Sequence, residues 1–356
     1  MKKYKIGVVV AFLLTGVTVF AGNEDRAGEA GASELLINPW GRSSGWGGAN
    51  TASVTGVEAM NLNVAGLAYT NNTEINFTNT SWLGGSDISI NAFGFAKKMG
   101  ESGGVLGLSI MSMSFGELDI TTVENPDGGL GTFKPNYLNI GAAYSKNFSN
   151  TISGGLVVKL ITESISNASA SGFALDAGVN YVTGDNDRLK FGIALRNVGP
   201  TVNYSGNGLS TRMNVQNSEK ELTVSQRSND FELPSLVNIG LSYDFYLMVD
   251  STESETPSEH RLTAAANFTS NSFTSDQLRI GAEYAFREMF MLRAGYILED
   301  NVSDEELTRT TSTGPTFGAT IEVPFGKSGT KLGIDYSYRV TRTFGGTNAV
   351  GLKLSF

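Results

Sequence analysis

Val350-Gly351-Leu352-Lys353-Leu354-Ser355-Phe356 alternates apolar with small or polar side chains and stops on an aromatic residue. In a strand, that period places Val350, Leu352, Leu354 and Phe356 on one face and Gly351, Lys353 and Ser355 on the other. Behind a secretory leader, such an ending reads as an outer-membrane β-barrel closing on its last strand, with the four apolar residues as its assembly signal. A soluble sandwich can also end in a strand, so the rest of the chain has to decide.

Lys2, Lys3 and Lys5 form a cationic start, Ile6 to Phe20 is apolar apart from Gly and Thr, and Val19-Phe20-Ala21 offers a small-residue cleavage site. The apolar run is shorter than the roughly 20 residues a spanning helix needs, so residues 1–21 read as a signal peptide. The chain contains no cysteine, which excludes a lipid-anchor cysteine, disulfides and thiolate metal sites. Loss of the three leader lysines takes the net charge from -9 to -12, against the basic face that nucleic acid requires. Charged residues make up 17% and mean hydropathy is -0.08, yet alternating strands hide a lipid-facing surface inside a near-neutral average.

From Thr73 onward, period-two segments recur between turn-forming residues. The clearest run over 173–181, 189–196, 237–245, 278–286, 317–323 and 332–341. Weaker ones lie at Glu74–Trp82, Asp87–Lys97, Gly104–Phe115, Tyr137–Lys146, Thr151–Thr162, Arg261–Thr269 and Met289–Leu298. With the terminal strand this predicts an all-β transmembrane antiparallel barrel of about 14 strands, an even number as bacterial barrels require. The face opposite the apolar one mixes Gly with Asp176, Arg196, Arg279, Glu283, Asp335 and Arg339, as a wet, partly filled lumen would. Tyr181, Tyr243, Phe245, Phe286 and Phe325 gather at strand ends, where interface girdles sit.

With both termini taken as periplasmic, the outer loops are Glu117–Pro135, Glu163–Ala170, Val198–Pro234 and Glu299–Gly314. The periplasmic turns Asn147–Asn150, Thr183–Arg188, Arg287–Glu288 and Gly326–Thr330 are short. Met248–Glu259 is the exception, a longer acidic segment on the periplasmic side or the mark of a miscounted strand.

Residues 22–70 are not strand-like and read as a hatch inside the lumen, with 71–356 as the barrel. Dense glycine permits tight turns and close backbone approach, and Trp40 and Trp46 supply bulk for packing. The stretch carries Asn38, Pro39, Arg42, Gly45, Trp46, Gly47, Gly48 and Ala49, then Glu58-Ala59 and Asn63-Val64-Ala65-Gly66-Leu67. It resembles the hatch of the PorV/PorQ family of Bacteroidetes outer-membrane proteins, themselves similar to the fatty-acid transporter FadL. That pattern runs Pro-x-x-Arg-x-x-Gly-Met-Gly-Gly-Ala, then acidic-Ala and Asn-Pro-Ala-Gly-Leu. Trp46 replaces the usual Met, and Val64 replaces the Pro that would stiffen a kink.

The resemblance implies type IX protein secretion. Members bind cargo signal domains emerging from a SprA-like translocon, or hold attachment-complex proteins at the surface. A FadL-like channel for hydrophobic small molecules is the alternative. Outer-membrane lipid is the remaining partner, and no cofactor is implied.

Arg42 is expected to lock the hatch by an ion pair, with Glu58 nearby, because a buried guanidinium needs a partner. His260, the only histidine, begins a strand beside an acidic segment and reads as a solvated turn residue. No nucleophile–base constellation points to an enzyme. The carboxylates of 250–259 and 300–306 lack the spacing of a calcium loop. The Val198–Pro234 loop is the longest and the expected docking site for a partner.

Overall fold

The computed structural model describes residues 26–100, 103–214, 221–247, 258–299, 310, 313–326, 329–341 and 344–356. The expected leader, most of Met248–Glu259 and the acidic run 300–306 lie outside these. No described helix is long and apolar enough to cross a membrane. The crossing is made by strands.

The strands are β1 (Thr73–Trp82), β2 (Ile88–Lys98), β3 (Val105–Ser114), β4 (Asn136–Asn147), β5 (Ile152–Ile165), β6 (Ala168–Thr183) and β7 (Leu189–Val198). They continue as β8 (Leu236–Leu247), β9 (His260–Asn271), β10 (Gln277–Phe286), β11 (Phe290–Glu299), β12 (Gly314–Pro324), β13 (Lys331–Arg339) and β14 (Thr347–Ser355). Each pairs antiparallel with its sequence neighbour, and β14 pairs with β1 from Glu74 opposite Ser355 to Ser81 opposite Asn348, closing a 14-strand barrel. Closure matters because a bilayer core offers no water to satisfy an open sheet edge. The protein is a multi-pass β-barrel of the outer membrane.

The side-chain faces follow the alternation. Phe77, Leu156, Phe173, Ile193, Ile239, Ile280, Leu292, Phe317, Ile334, Val350 and Leu352 are exposed on the outside. Asp176, Arg196, Glu283, Asp335 and Arg339 are buried inside. Leu352→Arg, on the lipid face, is expected to cost about 2–4 kcal/mol if it sits at the bilayer midplane. Urea unfolding of the liposome-inserted barrel measures this, and an unchanged midpoint would mean that the face does not meet hydrocarbon.

The expected loop Glu163–Ala170 is instead a tight hairpin. Strands β5 and β6 pair out to Ile165 opposite Ala168, leaving Ser166 and Asn167 as the turn, with Ser166 at φ +52°. No barrel strand is missing between β8 and β9, because Leu247 pairs directly with His260. Alternation breaks once in the wall. Between Leu175 and Ala177 the β6–β7 register shifts, and Arg196 and Asn197 both turn inward at a bulge. Asn197, at φ +59°, donates its backbone N–H to Asp176 Oδ1 at 2.7 Å.

The start of the chain also departs from the expectation. The barrel's own ends, Thr73 and Ser355, lie at the short-turn end, but Arg26–Gly31 lies at the opposite mouth. There Gly31 N–H donates to Glu232 O (3.0 Å), and the Arg26 guanidinium sits 4.4 Å over the Phe273 ring. The N-terminal segment threads the lumen end to end before β1 begins.

Candidate functional site: a packed lumen and two chambers

Between the strap Arg26–Leu36 at the outer mouth and β1, the chain folds into short helical turns. These are Gly41–Gly45, Gly56–Glu58, Ala59–Leu62 and Val64–Tyr69, and Trp40, Trp46, Val57, Leu62 and Leu67 are buried among them. The motif residues hold this plug together. Asn38 Oδ1 accepts from Trp40 N–H (3.1 Å), and its carbonyl accepts from Ser44 Oγ (3.1 Å) and Arg339 Nη2 (3.4 Å). Pro39 lines a 40 Å³ gap between plug and wall. Gly47 and Gly48 adopt φ +62° and +77°, which favours glycine, and let the chain turn under Arg279. Gly66 passes so close to the Val54 carbonyl that no side chain fits.

Asn63 caps the Val64–Tyr69 turn by accepting from Ala65 N–H (3.2 Å) and ties the plug to β6 by donating to Val179 O (3.2 Å). Val64 occupies the first helical position, where proline is favoured but not required, so the turn forms without it.

Arg42 pairs with Glu283 on β10, Nη2 to Oε1 at 3.2 Å. Glu58 does not join that pair. It accepts from Ser43 N–H (2.9 Å), from Ser43 Oγ, and from Asn76 Nδ2 on β1 (3.4 Å). Burial, then the nearby Asp335, push the Glu58 carboxyl above its ordinary range. For Arg42, burial opposes the charge, but Glu283, Asp335 and Glu58 outweigh it and hold the guanidinium protonated. Glu283 also takes Arg261 Nη2 (3.2 Å) and Arg293 Nε (2.9 Å). It is the hub that joins plug to wall.

The inward glycines have a role that sequence reading missed. Gly94, Gly107, Gly141, Gly178, Gly192, Gly240, Gly281, Gly295 and Gly318 lie near the middle of their strands, on the inner face. A Cβ on Gly107 would meet Met60 Sδ at 2.7 Å, on Gly281 Trp46 Cε3 at 2.8 Å, and on Gly240 Ala52 N at 2.9 Å. The lumen at this level is not wet; it is filled by plug packed on bare wall backbone. An inward glycine near the middle of nine strands was the available signal.

Two chambers flank the plug. The short-turn chamber, about 390 Å³, is charged, with Lys190, Asp244, Arg261, Glu288, Glu322 and Lys353 among its lining. The outer chamber, about 480 Å³, is walled by Leu36, Ile37, Trp82, Met113, Phe115, Tyr137, Leu236 and Ile297. Arg279 and Arg339 project into it. Arg279 donates to Gln277 Oε1 (2.7 Å), and Arg339 to Asn38 O while lying 4.9 Å over the Trp82 ring. Each guanidinium is thus held by a neutral oxygen.

His260 begins β9 in the interfacial aromatic girdle, Nδ1 2.7 Å from Tyr284 OH and its ring 5.1 Å from that of Phe286. The long outer connection after β7 is partly tied down. Val202, Phe231 and Leu233 pack on Ala32 and Leu35 of the strap, while Ser210–Asn214 and Glu221–Ser225 form an exposed hairpin.

A closed antiparallel barrel with its own N-terminal segment packed in the lumen defines the class: a FadL-like outer-membrane barrel. No family model matches the chain, and no curated protein matches it. Among solved structures it is similar to the CymD monoaromatic hydrocarbon channel, with TM-score 0.52 and 12% identity over 90% of this chain and 98% of that one. The Pseudomonas putida toluene transporter TodX (TM-score 0.49, 12% identity, 85% and 93% covered) and a Pseudomonas aeruginosa FadL homologue (TM-score 0.46, 12% identity, 89% and 96% covered) are more distant. At such identity the likeness concerns the fold.

Proposed function

We propose that the protein is an outer-membrane channel for hydrophobic small molecules, and that its outer chamber is the entry site. The carrying observation is the chamber itself: apolar and aromatic walls into which Arg279 and Arg339 are directed, each held by a neutral oxygen, Gln277 Oε1 and Asn38 O, with the buried Glu34 carboxyl also in the wall. Two desolvated guanidiniums favour a ligand with an anionic head, and Leu36, Ile37, Phe115 and Ile297 favour a greasy body. The similar fold of a monoaromatic hydrocarbon channel supports transport as the class.

Binding is testable with a brominated aliphatic carboxylate, which quenches Trp82 on contact, using Trp82→Phe to subtract Trp40 and Trp46. Arg339→Gln is expected to weaken binding roughly tenfold, equivalent to about 1.4 kcal/mol. Equal binding by the variant, or stronger binding of toluene than of the carboxylate, would overturn the acidic-ligand reading.

A second reading is type IX secretion in the PorV/PorQ manner, with a SprA-like translocon, cargo signal domains or attachment-complex proteins as partners. Two observations favour it: the hatch motif from Asn38 to Gly66, and the apolar outer-loop side chains Leu118, Ile120, Val123 and Leu130, which are exposed with no cover. A pull-down from solubilised outer membranes separates the two. Recovery of translocon or signal-domain proteins favours secretion, and co-purified lipid without a protein partner favours the channel.

A further inference from the structure

The strap that walls the outer chamber carries a buried carboxylate against a second one. Glu34 is 1% exposed and Glu163, on β5, is 4% exposed. Glu34 Oε1 accepts a long bond from Asn139 Nδ2 (3.4 Å), and Oε2 is buried with no hydrogen-bond partner. Glu163 accepts from the Tyr204 hydroxyl on the outer loop. Asn139, which touches Glu34, lies opposite Ile161 of β5, two residues before Glu163 on the same inner face, and Leu35 clusters with Ile161, so the two carboxylates share one level of the wall. Neighbouring carboxylates out of water are joined only by a proton, and without one they repel at low dielectric.

We propose that Glu34 and Glu163 form a proton-operated latch. With a shared proton it holds the strap Arg26–Leu36 across the outer mouth, and with both groups charged it lets the strap go.

The surrounding groups leave the pair uncompensated. Tyr137 and Tyr204 are neutral acids, and burial followed by Glu163 raises the Tyr204 hydroxyl further. Lys159 is taken by Asp176 (2.5 Å) and Asn197 (2.9 Å). Arg196 donates to Leu35 O (3.1 Å) and Arg339 to Asn38 O, while Arg279 is held by Gln277. None of these cations forms an ion pair with Glu34. Burial, and then the Glu163 charge, raise the Glu34 carboxyl to about 7.

The sign follows from linkage. A released Glu34 titrates near the ordinary glutamate value of 4.5, so the closed strap binds the proton more tightly. Closure is therefore favoured in acid, its advantage shrinks as pH rises from 4.5 to 7, and it stays low above that. The strap's other ties, Arg26 to Glu232 (2.5 Å) and Ala32 and Leu35 against Val202 and Leu233, set the baseline closure that the proton modulates.

The absence of native cysteine allows a direct test on the full-length protein. Ala32→Cys puts one buried thiol on the strap, and Val123→Cys, 99% exposed in an outer loop, corrects for the thiol's own pH dependence. The probe is a membrane-impermeant maleimide. Labelling of position 32 relative to position 123 is expected to rise on the order of seventyfold from pH 5 to pH 8. Glu34→Gln should hold it near the pH 5 level throughout, and Glu163→Gln should shrink the rise without abolishing it, because burial still raises the Glu34 carboxyl. Heat-modified gel migration reports that each barrel is folded. An equal ratio at both pH values, or an undiminished rise in either variant, would overturn the latch. The assay uses no cargo, so its failure and the failure of the channel reading are separate results.

Discussion

Glu283→Ala is expected to unseat the plug while leaving the barrel closed. Three guanidiniums converge on this carboxylate, from Arg42 of the plug (3.2 Å), Arg261 of β9 (3.2 Å) and Arg293 of β11 (2.9 Å). Removing one partner of a buried ion pair costs about 3–5 kcal/mol, because the remaining charge stays desolvated. Arg261 retains Glu288 (2.6 Å), and Arg293 retains Thr320 Oγ1 (2.6 Å), so most of the loss falls on Arg42, which is paired with Glu283. Liposome swelling with a small sugar should therefore accelerate, with trypsin cutting at Arg42, while heat-modified migration stays that of a folded barrel. Unchanged swelling together with an intact segment would mean that shape alone seats the plug.

The second large effect comes from shape. Gly94→Val should displace the plug, because its Cβ overlaps Val57 Cγ1 and lies 2.9 Å from Trp40 Cη2. Overpacking a filled interior costs about 1–3 kcal/mol, and here the neighbours are a buried valine and a buried indole. Adding Val57→Ala should restore much of the loss. The coupling between these two changes, read as a double-mutant cycle on swelling rate or proteolysis, isolates the contact. Additive effects would show that Gly94 matters for strand geometry and not for the plug.

Both predictions rest on contacts whose partners are remote along the chain. Arg42 and Glu283 are separated by 241 positions. The need for a partner was legible, since a buried guanidinium demands one, but its identity was not. Glu58, the nearer carboxylate in sequence, instead binds Ser43 and Asn76. Glycines on the inner face of the strands were visible and suggested open space, whereas the plug fills that space. The approach of Glu34 to the level of Glu163 and the turning of Arg279 and Arg339 into one chamber left no local trace.

Period-two alternation is a property of neighbours, so the sequence by itself determined the number of strands and their two faces, while the leader and Phe356 assigned the apolar face to lipid and Val350–Phe356 to the closing strand. The tight helical turns around Asn38 to Gly66 were local too, because Asn, Gly and Pro act within a few residues. The tertiary structure alone decided what the ring encloses. Closing the sheet brings residues of opposite strands to the same depth, and threading the segment through the lumen puts Arg26 at the far mouth. Those juxtapositions depend on how the whole barrel shuts around its plug, which no stretch of neighbouring side chains encodes.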